Sequence, residues 1–429
     1  MALVPRIDVS TSLREAAAEP TPEELADLVA SLASDVLFAT PLGSAAGRAP
    51  DVVWRLDGGE AAVYYADGRR DLRKPFLFAD GFDYGPSDLP ALFAHFNTPC
   101  EDGEPGFFDR LLAAGFDVVL IGFQERHTYL QHNAEVAIQA ILRAVAEREG
   151  DEPLTVGGVS MGGIVTRYAL AKLEHDRVDH QTATYLSYDS PHNGAWIPLI
   201  LQQLAYFFEN LSPAEPSQAA LIRSPAARQL LWAWVPDSGY SGAVATASEL
   251  RKEFLADLAR IGDYPQLPRK LGVSNGRGDG VGRPLPAGEI AFDWQTLIAG
   301  ATARFQPVRG TEQRIGGMHF GLTLRRSATT EVPALDGVPG GTLDSFGKVA
   351  DTLKAKIDEE HRSSAFVPAV SAAALTFDPV KWNVDPNIDI GVLGIEHSHL
   401  DDIAFDTENN PHGAVSPVLV DWILDHLTR

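Results

Sequence analysis

Leu154-Thr155-Val156-Gly157-Gly158-Val159-Ser160-Met161-Gly162-Gly163-Ile164-Val165 is the stretch on which the fold turns. Leu154 to Val156 form a short apolar, β-prone run of the kind that makes a buried strand. From Gly162 to Leu173 the residues Ile164, Tyr168 and Leu173 recur at helical spacing, so a helix follows almost at once. The chain must therefore reverse sharply at Ser160. Gly157, Gly158, Gly162 and Gly163 remove the side chains that would collide in so tight a turn. A serine so placed has its Oγ lifted out of the sheet, beside a helix N-terminus that favours negative charge.

Reading outward from this turn, other segments repeat the alternation. Pro75 to Ala79 is a compact apolar run ending at Asp80-Gly81, and Phe116 to Ile121 is a second, closed by Gly122. Ala134 to Glu149 carries Val136, Ala140, Ile141 and Val145 at helical spacing, with Gly150 as a stop. Ala183 to Tyr188 and Lys270 to Ser274 read as further strands. Strands that alternate with helices predict an α/β fold with a mostly parallel central sheet and helices on both faces. Ligands in such sheets sit beyond the carboxyl ends of the strands.

The remaining chain divides around this pattern. Residues 1–73 read as an N-terminal region, with a helix from Pro22 to Leu37, ahead of a main domain over 74–429. Residues 195 to about 260 are too long for a simple crossover and rich in Trp196, Tyr206, Phe207, Phe208, Trp232 and Trp234. They predict a helical insertion, either a lid offering apolar surface to a ligand or a cap whose tryptophans pack. Residues 280–360 form a second excursion, rich in Gly and Pro, with mixed strand and helix signals.

Composition narrows the class. Of 429 residues 45% are hydrophobic and 22% charged, which suits a globular protein able to bury a large core. The formal net charge of −23 repels polyphosphate backbones and anionic membranes, so nucleic acid is excluded as an expected partner. Cys100 is the one cysteine, which rules out an intramolecular disulfide and a thiolate metal cluster. The first thirty residues lack a signal-like apolar run, and no segment has the roughly 18 apolar residues of a membrane span. The expected location is the cytoplasm, with secretion after loss of a signal as the alternative.

The pentapeptide pattern G-x-S-x-G occurs twice, which shows how little it means alone. Gly272-Val273-Ser274-Asn275-Gly276 also matches, but the following Arg277-Gly278-Asp279-Gly280-Val281-Gly282-Arg283-Pro284 cannot start a helix. Ser274 is thus read as a turn residue and Ser160 as the nucleophile. A serine hydroxyl needs a base, and histidine is the usual one. His412 lies in the polar loop Glu408 to Gly413, just before a final amphipathic helix marked by Val418, Leu419, Trp422, Ile423 and Leu427. His397 and His399 are the runners-up; His426 falls on the helix itself. For the acid that orients the base, Asp279 is the first choice and Asp189, at the tip of the strand ending at Tyr188, the second, with Asp401 behind them. The amides of Met161 and of Phe82, in the loop after Ala79, are the expected oxyanion donors. No metal or organic cofactor is called for.

Several segments together carry a resemblance. They are Lys74 to Asp83, Tyr129 to Ala134, the turn at Ser160, Asp189-Ser190-Pro191-His192-Asn193-Gly194-Ala195, and Phe366 to Ala372. Over roughly residues 74 to 425 the chain resembles bacterial α/β-hydrolases akin to lipases and esterases. The resemblance implies the α/β-hydrolase fold, Ser160 as nucleophile and His412 as base, and leaves the acid open between Asp279 and Asp189. Pro191-His192-Asn193-Gly194 is similar to the Pro-His-x-Gly of many bacterial lipases, where it is structural and introduces the lid, so His192 is expected to be non-catalytic. The expected activity is cleavage of a carboxylic ester, small or lipid-like, through an acyl-enzyme. Acyl transfer, amide cleavage and a non-catalytic binding role are the alternatives.

Overall fold

The computed structural model of the chain describes residues 48–99, 103–209, 217–310 and 312–428. The helix expected from Pro22 to Leu37 lies outside them. Eight strands form the central sheet: β1 (Val52–Leu56), β2 (Gly59–Tyr64), β3 (Pro75–Ala79), β4 (Asp117–Phe123), β5 (Leu154–Val159), β6 (Thr182–Tyr188), β8 (Arg269–Ser274) and β15 (Asp402–Phe405). Their spatial order is β1-β2-β4-β3-β5-β6-β8-β15. From β4 to β15 every neighbouring pair runs parallel, while β1 and β2 join as an antiparallel hairpin at one edge.

That hairpin corrects the division at residue 74. Val52 to Tyr64 was expected ahead of the domain, yet β2 pairs with β4 from Gly59↔Phe123 to Tyr64↔Val118 and is part of its sheet. The hairpin closes through Asp57-Gly58, with Gly58 at φ 80°, the left-handed conformation that such a two-residue turn demands.

The period of two along the central strands decides which helices lie where. Phe76 and Phe78 of β3 point to one face with Val118 and Leu120 of β4. They meet helices α1 (Leu89–Phe96) and α2 (Phe107–Ala113), together with the C-terminal helix α10 (Pro417–Thr428). Leu77, Ala79, Val119 and Ile121 point the other way, onto α3 (Leu130–Glu147), α4 (Met161–His175) and α8 (Glu249–Arg260). Alternate residues of one strand thus fill two separate cores, which is why these strands are apolar throughout rather than amphipathic.

A third core is built from both excursions. The first contributes α5 (Leu199–Glu209), α6 (Gln218–Arg223), α7 (Pro225–Leu230) and the two-residue strand β7 (Ala243–Val244). The second contributes β9 (Ile290–Gln295), β10 (Ala299–Arg304), β11 (Gln313–Phe320) and β12 (Thr323–Thr330), then β13 (Gly340–Leu343) and α9 (Ser345–Leu353); β14 (Ser364–Pro368) follows. β7 pairs with β12, so one five-stranded sheet, β7-β12-β11-β10-β9, draws from both. Trp196 and Trp232 are each 1% exposed inside this core. Trp196 donates its indole N–H to Asp336 Oδ1 at 2.7 Å, which ties the first excursion to the second. The tryptophans therefore pack as a cap would have them. The aliphatic residues of α6 and α7, by contrast, face the cleft described below.

Candidate active site

Ser160 sits between β5 and α4 with φ 55° and ψ −123°, a backbone conformation that costs energy for any residue with a Cβ. The neighbours make it possible. A Cβ at Gly162 would lie 2.2 Å from the Ala79 carbonyl oxygen, and one at Gly158 would lie 2.5 Å from the Gly162 carbonyl carbon. Glycine is what lets β5, the turn and β3 come so close. The Ser160 amide donates to the Tyr188 carbonyl at 2.9 Å, which anchors the turn to the end of β6.

Asp189 follows directly after β6. Its carboxylate is fully buried, accepts the His412 Nδ1 proton at 2.7 Å through Oδ2, and accepts the Asn275 amide at 3.1 Å through Oδ1. A Cβ at Gly341 would lie 2.1 Å from Asp189 Oδ2, so the second excursion presses its backbone onto this carboxylate. His412 is 2% exposed, and its own amide donates to the Thr342 carbonyl at 2.8 Å. The Phe366 ring stands at 67° to its imidazole, centroids 4.9 Å apart.

Asn275 has no place among the expected site residues, yet it holds this arrangement. Its side-chain oxygen accepts the Gly413 amide and its side-chain nitrogen donates to the Ala414 carbonyl, each at 2.8 Å. It belongs to the second G-x-S-x-G pentapeptide, whose serine is buried and takes no part in the cleft. A polar residue directly after a buried strand end was the available signal.

Asp279, the first choice for the acid, is not brought to His412. It is exposed, and its carboxylate is bound by the Arg277 guanidinium (Nε to Oδ1 at 3.0 Å) and by the Val281 amide at 3.1 Å. That hydrogen bonding from Arg277 pulls its carboxyl down to about 2. The strand before it ends with Asn275 turning inward, so Asp279 arrives four residues too late to reach the site. Asp401 accepts from Lys270 at 2.7 Å, His399 stacks on Tyr264, His397 is exposed, and His426 bonds to Trp422 and Asp402. None of these lines the cleft with Ser160. His192 is buried, with Nε2 against Ser187 Oγ at 2.8 Å and Nδ1 facing Arg167 at 3.3 Å. Burial holds it well below the ordinary histidine range, with the Arg167 charge adding to the effect.

Ser160, His412, Gly81 and Phe82 line one cleft at the carboxyl ends of the strands, with Asp80 and Arg126 also in its wall. The Asp80 carboxylate accepts the Gly81 amide at 2.8 Å, which commits that N–H. Burial raises the Asp80 carboxyl above its ordinary value, and Arg126 partly offsets this. The Arg126 guanidinium reaches Asp80 at 3.5 Å, Asp83 at 3.3 Å and the Tyr84 carbonyl at 3.3 Å, while its amide donates to Gly85 at 3.1 Å. One buried arginine thus gathers the loop from Asp80 to Gly85.

The strand order, the serine turn after β5, and the Asp and His loops after β6 and β15 decide the fold. It is that of the α/β-hydrolases. No protein-family model matches the chain, and no curated protein sequence matches it. Solved α/β-hydrolases do align with it in part. EstE1, a thermophilic carboxylesterase from a metagenomic library, matches at 14% identity over 59% of this chain and 77% of its own, with a TM-score of 0.32. The mature lipase BlEst2 of Bacillus licheniformis matches at 13% identity over 52% and 72%, with a TM-score of 0.29. Est1E of Butyrivibrio proteoclasticus matches at 13% identity over 32% of this chain and half of its own length, with a TM-score of 0.24. These overlaps are small, and the α/β-hydrolase assignment rests on the topology and the turn at Ser160. Among the described residues, no helix is long and apolar enough to cross a membrane, and no cluster of ligating side chains could hold a metal ion.

Proposed function

We propose that the chain is a serine-dependent hydrolase of carboxylic esters. The observation that carries this reading is the buried Asp189–His412 pair, 2.7 Å apart, on a loop whose histidine shares a cleft with the serine of a strained strand-to-helix turn. Asp189 fixes the proton on Nδ1 of His412, so Nε2 is the nitrogen that accepts the Ser160 proton. Ser160 Oγ then attacks the acyl carbonyl carbon, and the carbonyl oxygen takes up the negative charge.

The amides of Met161 and Phe82 are the donors assigned to that charge. Met161 is the first residue of α4, where a helix leaves its N–H groups without partners inside the helix. Phe82 follows Gly81 in the loop gathered by Arg126. Collapse of the tetrahedral intermediate breaks the ester C–O bond, and His412 returns its proton to the leaving alcohol. Water, deprotonated by the same Nε2, cleaves the acyl-enzyme and regenerates Ser160. Transfer to an alcohol or amine would use the same groups; hydrolysis predicts free acid as the product even when alcohol is added.

Fluorophosphonate labelling tests the reading. Mass spectrometry should find the adduct on Ser160, and Ser160→Ala should abolish both labelling and turnover of p-nitrophenyl esters. A folded wild-type protein that takes no label at Ser160 would refute the proposal.

A further inference from the structure

The five-stranded sheet built from both excursions ends in two turns that lie side by side. Thr296-Leu297-Ile298 joins β9 to β10, and Gly321-Leu322 joins β11 to β12. β10 and β11 pair as far as Ala299↔Phe320, and the Gly321 amide donates to the Ile298 carbonyl at 2.7 Å. The Thr296 amide donates to the Ala299 carbonyl at 2.8 Å. These bonds satisfy part of the turn backbone from within, which lowers the cost of meeting an apolar medium. Aliphatic side chains project there: Leu322 is fully exposed, Leu297 85%, Leu324 53% and Ile298 44%. Charge reverses in the same place. From Trp294 to Thr330 the chain has five arginines and one glutamate, within a protein of net charge −23. That glutamate, Glu312, precedes β11 at the end of the sheet away from the turns. Arg325 and Arg326 follow Leu324, both exposed, and among the described residues neither forms an ion pair.

We infer that these paired turns dock on an anionic lipid surface, with the aliphatic side chains among the acyl chains and Arg325 and Arg326 on the phosphates. The dimensions agree. Leu322 stands three residues ahead of Arg325, about 10 Å at the rise of a strand, and apolar anchors sink roughly 5–10 Å below the headgroups. Successive strand residues point to opposite faces, so the two guanidinium groups flank the turns on both sides of the sheet. A lipid surface supplies both the acyl chains and the negative charge that this combination calls for. A second copy of the chain fails on area, because a stable pair buries roughly 800 Å² from each partner, more than two short turns provide. The negative charge elsewhere on the chain is screened beyond about 8 Å at physiological ionic strength, so the nearest cations govern the contact. Docking also has a bearing on the site. Gly316 of β11 packs on Ile200 of α5, where a Cβ would meet Cδ1 at 2.5 Å. Beyond α5, the same insertion lines a cavity beside Ser160 with Leu221, Ile222 and Leu230. The element that meets the surface thus packs on the element that walls the site. The docking itself does not rest on the ester-hydrolase reading of Ser160.

The test is flotation of the full chain on vesicles of phosphatidylcholine, with and without phosphatidylserine, at physiological salt. A Ser160→Ala background reads binding without turnover of the lipids. The parent should bind the mixed vesicles. Leu322→Asp should lower that binding at least about tenfold, the worth of one buried leucine. Arg325→Gln with Arg326→Gln should lower it about 25-fold, roughly fivefold for each charge, and change binding to phosphatidylcholine alone by less than about threefold. Leu267→Asp, at an aliphatic residue 70% exposed just ahead of β8, should bind as the parent does. The altered side chains are exposed, and circular dichroism verifies folding; the arginine pair keeps the test open if Leu322→Asp does not fold. Absence of vesicle binding by the parent, or equal binding by folded Leu322→Asp, would overturn the proposal. So would a dimer that Leu322→Asp dissociates, which would assign the turns to a second copy. None of these results touches the reading of Ser160, which labelling tests separately.

Discussion

Asp189→Asn separates the two candidate acids and reports on how the base is held. The substituted side chain should keep its oxygen toward the Asn275 amide, because turning the NH₂ group there would set two donors face to face at 3.1 Å. Its NH₂ then points at His412 Nδ1, which must become an acceptor, so the imidazole proton moves to Nε2. A histidine in that tautomer cannot take the Ser160 proton. Asp189 and His412 are 0% and 2% exposed, so no water can replace the missing carboxylate. Removing one partner of a buried pair costs about 3–5 kcal/mol. Expressed in the transition state, this is roughly a 10²- to 10⁴-fold loss in kcat. The variant should leave KM within a few-fold, since Asp189 touches no part of the cleft. Asp279→Asn should stay within about twofold of wild type, because an exposed pair with Arg277 carries little. Steady-state kinetics on one good p-nitrophenyl ester, with circular dichroism to verify folding, decides the matter. A folded Asp189→Asn variant within tenfold of wild type, or a hundredfold loss in Asp279→Asn, would refute the assignment.

Other expectations concern the supports of the site. Arg126→Met should lower kcat by about ten- to a hundredfold with KM little changed, since the loop bearing Phe82 loses its clamp; Arg126→Lys should recover part of the loss as a point charge without the fork. Asn275→Ala should lower the melting temperature by several degrees, because it strips two hydrogen bonds from the His412 loop at about 1 kcal/mol each, and activity should fall with it. Gly162→Ala should yield no stable protein, as its methyl carbon would meet the Ala79 carbonyl at 2.2 Å; a normal thermal melt would contradict the packing. Burial lifts the Asp336 carboxyl from 3.8 to about 6. The folded state therefore holds this proton more tightly than the unfolded chain, and the contribution is fully present below about pH 4 and lost as pH rises through 6. The swing is about 3 kcal/mol. Urea unfolding of wild type and Asp336→Asn at pH 4 and 7 should show the difference between them change by that amount in favour of the variant; a difference independent of pH would count against it.

The central strands and the turn at Ser160 were legible because each depends on local pattern. β3, β4, β6 and β8 appear within a residue or two of their expected bounds, since buried parallel strands must be apolar throughout, while β5 runs three residues past Val156, into the glycines before Ser160. The hairpin of β1 and β2 was not legible as part of the sheet, because its strands are short and Val52 and Val53 remain exposed at the edge. β15 escaped notice for a similar reason: its four residues are all half-buried. The acid could not be chosen from sequence. Asp189 and Asp279 both follow strands, and what distinguishes them is the path of a loop more than 130 residues downstream of either. Asn275 was hidden by the same dependence on tertiary contact, inside a pentapeptide whose resemblance to a nucleophile motif drew attention to its serine. The excursions could be seen as excursions, but their fusion through β7 and β12 could not, since a two-residue strand leaves no periodic trace.

The burial of Asp189 and His412 has a consequence for how the molecule meets its medium. Counter-ions shorten the reach of exposed charges to about 8 Å at physiological ionic strength, but they screen buried charges much less. The chain, of net charge −23, thus has two electrostatic regimes: exposed charges that dissolved salt can mute, and a buried Asp189 carboxylate that it screens far less. Varying salt should therefore alter how quickly a charged ester finds the cleft, while the chemical step on a bound neutral ester proceeds at the same rate.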